Sequence, residues 1–139
     1  MKKDDIVLYF KSYKENKSRI GNIDIDIRNL EQDIKAQVIS DMPHGTEIGN
    51  PTYNEAIRRM KDNELISLHK EKTKKLYQVE KVEEALKGLQ DDEQKIITEK
   101  WINRKYWHDI DTSKLTINYS EDSLKRKFVG ILNKLVRIM

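Results

Sequence analysis

From Ile6 onward an isoleucine or tyrosine returns at every seventh position: Ile6, Tyr13, Ile20, Ile27 and Ile34. Three places further on stand Tyr9, Asn16, Ile23, Leu30 and Gln37. This spacing puts one apolar stripe along one face of a helix, and that stripe needs a second helix to cover it. The pattern predicts a long helix over residues 4–38, with polar breaks at Asn16 and Gln37 and a local weakening at Gly21. The alternation Ile23, Ile25, Ile27 offers a strand as the competing reading, because a period of two would set all three on one face. The longer period favours helix.

Both prolines, with Gly45 and Gly49 between them, fall in Ser40–Pro51, which reads as a loop. Thr52-Tyr53-Asn54-Glu55 then has the pattern of a capping box and opens a second long helix. Its apolar face is Ile57, Met60, Leu65, Leu68, Leu76, Val79, Val82, Leu86 and Leu89, interrupted by Lys72. Two long helices joined by one loop suggest an antiparallel hairpin. The heptads serve first to pack this hairpin and only second as a homodimer surface. Gly88 allows a break, after which Asp91 or Asp92 can cap a third helix bearing Ile96, Ile97, Trp101 and Ile102. The expected organisation is a helical hairpin over residues 1–88, for packing or oligomerisation, and a separate module over 89–139.

Within that module Asn103-Arg104-Lys105 is a polar turn, and Tyr106, Trp107 and Ile110 mark a short helix. Ser120 is suited to cap the last helix, whose first residues Glu121 and Asp122 match the positive end of the helix dipole. Leu124, Phe128, Ile131, Leu135 and Ile138 form its apolar stripe. Asp122, Ser123, Arg126, Gly130, Asn133 and Arg137 lie opposite, with Lys125 and Lys127 on the flanks. A short helix, a turn and a capped helix with a basic outer face are the layout of a helix-turn-helix. Trp101, Trp107, Ile110, Leu115, Leu124 and Phe128 are its expected core. The fold class is all-α.

Composition narrows the function. Hydrophobic and charged residues each make up 37% of the chain, a balance that suits solvent-rich helices rather than one large core. There is no cysteine, which excludes disulfides and thiolate metal sites and fits a reducing compartment. The opening MKKDDIVLYF has no long apolar run, so neither a signal peptide nor a membrane span is expected. His44, His69 and His108 are scattered without metal-ligand spacing. No phosphate-binding glycine loop, nucleophile elbow or metal motif occurs, so no enzyme and no cofactor are expected. A net charge of +3 permits nucleic acid as a partner. Lys125-Arg126-Lys127 alone would be a solvated face; its place early in a capped helix is what points to DNA.

Leu89 to Leu135 resembles region four of bacterial sigma factors. The matching residues are Leu89, Asp91-Asp92-Glu93, Ile96-Ile97, Trp101, Trp107, Ile110, Tyr119-Ser120 and Lys125-Arg126-Lys127. The whole chain is similar to the small sigma-like regulators of phages and prophages, the ArpU and RinA type. That likeness extends to Asp41, Pro43 and Gly45 and to Asn50-Pro51-Thr52. The resemblance implies a transcription activator of phage genes in the cytoplasm of a bacterial host cell, binding double-stranded DNA and contacting RNA polymerase. In one departure, the segment from Ile110 to Tyr119 is longer than the family's connection, so the turn is extended or the first helix ends irregularly.

The expected mechanism sets the helix after Ser120 in the major groove. Arg126 would read guanine, with Asp122 and Ser123 on neighbouring edges. Arg104, Lys105, Lys125 and Lys127 would hold phosphates, and Asn118 and Ser120 are also expected to bind DNA. Two other readings use the same elements. A small-terminase-like packaging protein also joins a helix-turn-helix to helical oligomerisation segments, and a helical adaptor would use the hairpin to bind protein.

Overall fold

A computed structural model describes residues 1–40 and 51–139, with only the backbone described at 37–40, 51 and 52. The described residues are all-α, without a strand. In chain order they form α1 (Lys3–Lys11), α2 (Tyr13–Ser40), α3 (Pro51–Lys87), α4 (Asp91–Ile97) and α5 (Glu121–Ile138). A π-helical turn, Thr98–Ile102, continues α4, and two single 3-10 turns, Trp107–Asp109 and Thr112–Lys114, lie in the connection to α5. Of the expected loop Ser40–Pro51, residues 41–50 fall outside the described residues, while its ends are helical, Ser40 closing α2 and Pro51 opening α3. Thr52 is therefore the second residue of α3 rather than its cap, with proline in the first position, where its missing N–H costs least. By contacts the chain divides into two compact units, one formed by Met1–Lys17 with Tyr77–Met139 and the other by Ser18–Leu76.

The heptads fold as helix with one interruption at Ser12, between α1 and α2. The Ser12 hydroxyl donates to Leu8 O at 2.7 Å, a back-bond of the kind that bends helices without ending them. Asn16 N–H still reaches Ser12 O at 2.8 Å, so the hydrogen-bond ladder carries across the break. The strand alternative fails on burial: Ile23 and Ile27 are buried while Ile25 is 49% exposed. An i, i+4 pair inside with i+2 outside is a helical period.

Among the described residues of Ser18–Leu76 the buried apolar ones are Ile23, Ile27 and Leu30. Arg19 grips both carboxylate oxygens of Glu71 at 2.7 and 3.0 Å, and Lys72 meets Asp24 at 2.6 Å. The lysine that interrupts the apolar face of α3 thus lies beside an aspartate of α2. Two residues expected on that face, Met60 and Leu76, are exposed instead.

The other unit has a three-dimensional core. Ile6 and Phe10 of α1 and Val82 and Ala85 of α3 join Leu89, Ile96, Ile97, Trp101, Ile102, Ile110, Leu124, Ile131 and Leu135. Phe10 lies 5.1 Å from Trp101, and Trp101 meets Phe128 edge-on at 4.9 Å. Trp107 meets the same Phe128 ring edge-on at 5.1 Å. The expected core residues all take part; the addition is that α1 covers them. Polar pairs fasten the start of α2 to the end of α3 in descending register, Tyr13 Oη to Glu83 at 2.8 Å and Asn16 Nδ2 to Gln78 at 3.0 Å. Asn16, the polar break in the heptads, is buried with this partner.

Candidate nucleic-acid interface

α4 starts one residue earlier than expected. Its N-cap is Gln90, not Asp91 or Asp92, and Gln90 N–H donates to Glu93 Oε1 at 3.0 Å. Glu93 is itself buried and receives Lys134 of α5 at 3.3 Å. Burial pushes its carboxyl upward, but the Gln90 N–H and the Lys134 ammonium together hold it below the ordinary carboxylate value. One carboxylate thus caps α4 and ties it to α5.

The expected short helix at Tyr106–Ile110 is a single 3-10 turn, Trp107–Asp109. The physical cause lies upstream. The π-helical turn widens the end of the preceding helix, with Asn103 N–H reaching back five residues to Thr98 O. Arg104 then reverses the chain at φ 54°, the left-handed region that non-glycine residues rarely occupy. The long segment before Tyr119 folds onto α4 instead of extending a helix. Thr116 N–H donates to Asp92 at 2.9 Å, and Lys95 donates to Lys114 O at 3.1 Å. The Thr116 N–H holds the Asp92 carboxyl below its usual value. Asp111 likewise accepts from the Ser113 hydroxyl and N–H, at 2.6 and 3.0 Å, and is lowered by them.

α5 begins as the sequence predicts. Ser120 Oγ accepts from Ser123 N–H at 3.2 Å. Leu124, Ile131 and Leu135 are fully buried, and Phe128 packs against the tryptophans, while Ile138 is half exposed. Packing of this stripe against α4, α1 and the 3-10 turn at Trp107–Asp109 fixes which face of α5 looks outward. That face carries Asp122, Arg126, Val129, Gly130, Asn133 and Arg137, all exposed.

The nine expected DNA-binding residues separate into four groups. Arg126 and Asp122 project outward, and the i, i+4 ion pair their spacing permits does not form. Lys125 pairs at 3.4 Å with Glu121, both half exposed, a surface contact worth a few tenths of a kcal/mol. Lys127 is half-buried on the flank of α5. Ser120 and Ser123 are spent on the cap, and Asn118 accepts from the Thr112 hydroxyl at 2.6 Å.

Arg104 and Lys105 have partners within the fold, with their side chains about half exposed. Arg104 donates to Lys11 O, at the C-terminus of α1, at 2.8 Å and reaches Glu15 at 3.5 Å. Lys105 pairs with Glu99 and holds its carboxyl below the ordinary value. Asn103 links the same cluster, donating to Glu99 at 2.9 Å and accepting from Lys14 at 2.6 Å. Sequence reasoning had no signal for this, since the partners of Arg104 and Asn103 lie on α1 and α2, some ninety residues away. It also passed over Val129, whose exposure follows from its place between the outward face and the flank.

No helix among the described residues is long and apolar enough to cross a membrane. Comparison with protein-family models, curated proteins and solved structures gives no significant match for this chain.

Proposed function

We propose that this protein is a DNA-binding transcription regulator that lays α5 in the major groove of a promoter. The observation that carries the reading is the outward face of α5. The helix is capped at Ser120 and clamped along its apolar stripe from Leu124 to Leu135, and Arg126 stands on the opposite face without a partner among the described residues. A rigid helix presenting an unpaired guanidinium, with Asn133 and Arg137 on the same face, suits recognition of base edges and phosphates. The assignment to phage genes, with direct contact to RNA polymerase, rests on the resemblance to sigma region four alone.

Phosphate contacts come chiefly from Lys125, Lys127 and Arg137, because Arg104 and Lys105 are engaged within the fold. With about two to four such contacts, log affinity against log salt should fall with a slope of roughly −2 to −4. Binding of the full chain to a duplex selected from a random library, titrated between low and moderate salt, measures that slope. A flat response, or no duplex selected at all, contradicts the reading.

A further inference from the structure

α5 carries a glycine where a helix least favours one. Gly130 lies mid-helix on the outward face, one turn after Arg126 and just before Asn133. A Cβ built there meets nothing within 4 Å. No contact among the described residues therefore requires glycine, and alanine would favour the folded helix by roughly two- to fivefold in the folding equilibrium. Beside it Val129 is 55% exposed on a face whose other side chains, Asp122, Arg126, Asn133 and Arg137, are polar or charged. A bare backbone patch and an uncovered valine, adjacent and without internal cause, share the face that bears Arg126.

We propose that Gly130 lets the α5 backbone approach the floor of the major groove closely, and that Val129 contacts a thymine methyl there. This rests on the reading of α5 as the DNA-reading helix and places a second base preference one turn beyond Arg126. A helix with its side chains, about 10–12 Å across, only just fits a groove about 12 Å wide. A residue without a side chain at the centre of the inserted face allows deeper seating, which carries the short Val129 side chain to the base edges. Thymine alone offers a methyl group in that groove. Arg137 on the same face and Lys125 and Lys127 on its flanks match the phosphate-lined walls. A protein partner would need more apolar surface than one valine supplies. Asp122 is the acidic exception, and it sits two turns earlier, in the first turn of the helix.

Gly21 supplies the control. It too is exposed in a helix, α2, and a Cβ there also meets nothing within 4 Å. Duplexes are selected with the full-length wild-type protein, and their affinities are compared for wild type, Gly130→Ala, Gly21→Ala and Val129→Ala, alongside thermal melting. Both glycine variants should melt a few degrees higher, so a loss of binding cannot be a loss of folding. Gly130→Ala should bind the selected duplex about tenfold more weakly, while Gly21→Ala binds it as wild type does. Replacing thymines by uracil one at a time should weaken wild type about three- to fivefold at one position and leave Val129→Ala unaffected there. Full affinity in Gly130→Ala, an equal loss in Gly21→Ala, or indifference of wild type to every uracil overturns the inference. Failure of the wild-type protein to select any sequence is the separate result that overturns the DNA reading beneath it.

Discussion

The two compact units of the chain bury apolar surface in different ways. Met1–Lys17 with Tyr77–Met139 closes a core from several directions, with Phe10, Trp101, Trp107 and Phe128 in mutual ring contact. Ser18–Leu76 has a narrow seam, Ile23, Ile27 and Leu30, edged by half-exposed ion pairs such as Arg19–Glu71. Exposed ion pairs contribute about 0–1 kcal/mol each, whereas one buried aromatic contributes several times that. The contrast teaches where a rigid binding element can be built. α5 belongs to the unit whose core can hold it still, and the candidate interface lies on that helix.

The sharpest way to break this contrast is to empty the aromatic core. Trp101→Ala should cost about 3–5 kcal/mol, read from urea unfolding followed by Trp107 fluorescence; a loss below about 1 kcal/mol would mean that the ring cluster does not organise the unit. Ile27→Asp should cost about 2–4 kcal/mol by leaving a carboxylate in an apolar seam. Both tryptophans lie outside Ser18–Leu76, so fluorescence reports one unit while far-ultraviolet circular dichroism reports both. In Ile27→Asp the helical signal should fall at lower denaturant than the fluorescence. Coincident transitions would show that the seam is not a distinct source of stability.

A smaller effect sharpens the account of how α4 and α5 are joined. The Glu93 carboxyl is held below its ordinary value by the Gln90 N–H and Lys134 against the upward push of burial. A depressed carboxyl contributes stability that is present above the ordinary carboxylate range and lost as pH falls through its folded value. Glu93→Gln should therefore lower stability by about 1–2 kcal/mol near neutral pH, with the gap closing in acid. Melting of both proteins across that range measures it; a gap independent of pH would show that the charge is not what matters.

Most of the fold was legible because helical period and capping chemistry are local. The face holding Ile23 and Ile27 but not Ile25, the Ser120 cap and the stripe from Leu124 to Leu135 all follow from residues a few places apart. What covers a stripe is not local. Nothing around Ile6 and Phe10 says that they close over Trp101, and the heptads alone suggested a partner on α3. The same limit applied to the interface. Arg126 was placed correctly on the outward face, since the opposite stripe fixes it. Arg104 and Lys105 read as free cations because Lys11 O is distant in sequence and because the π-helical turn that aims Lys105 at Glu99 leaves no periodic trace.

The central claim is that the outward face of α5 reads DNA through Arg126. Its most direct test compares wild type, Arg126→Ala and Lys125→Ala on a selected duplex and on a scrambled one of equal length. Arg126→Ala should lose about 1–3 kcal/mol on the selected duplex and little on the scrambled one, while Lys125→Ala weakens both alike. An equal loss from Arg126→Ala on both duplexes, or no loss on either, contradicts the claim.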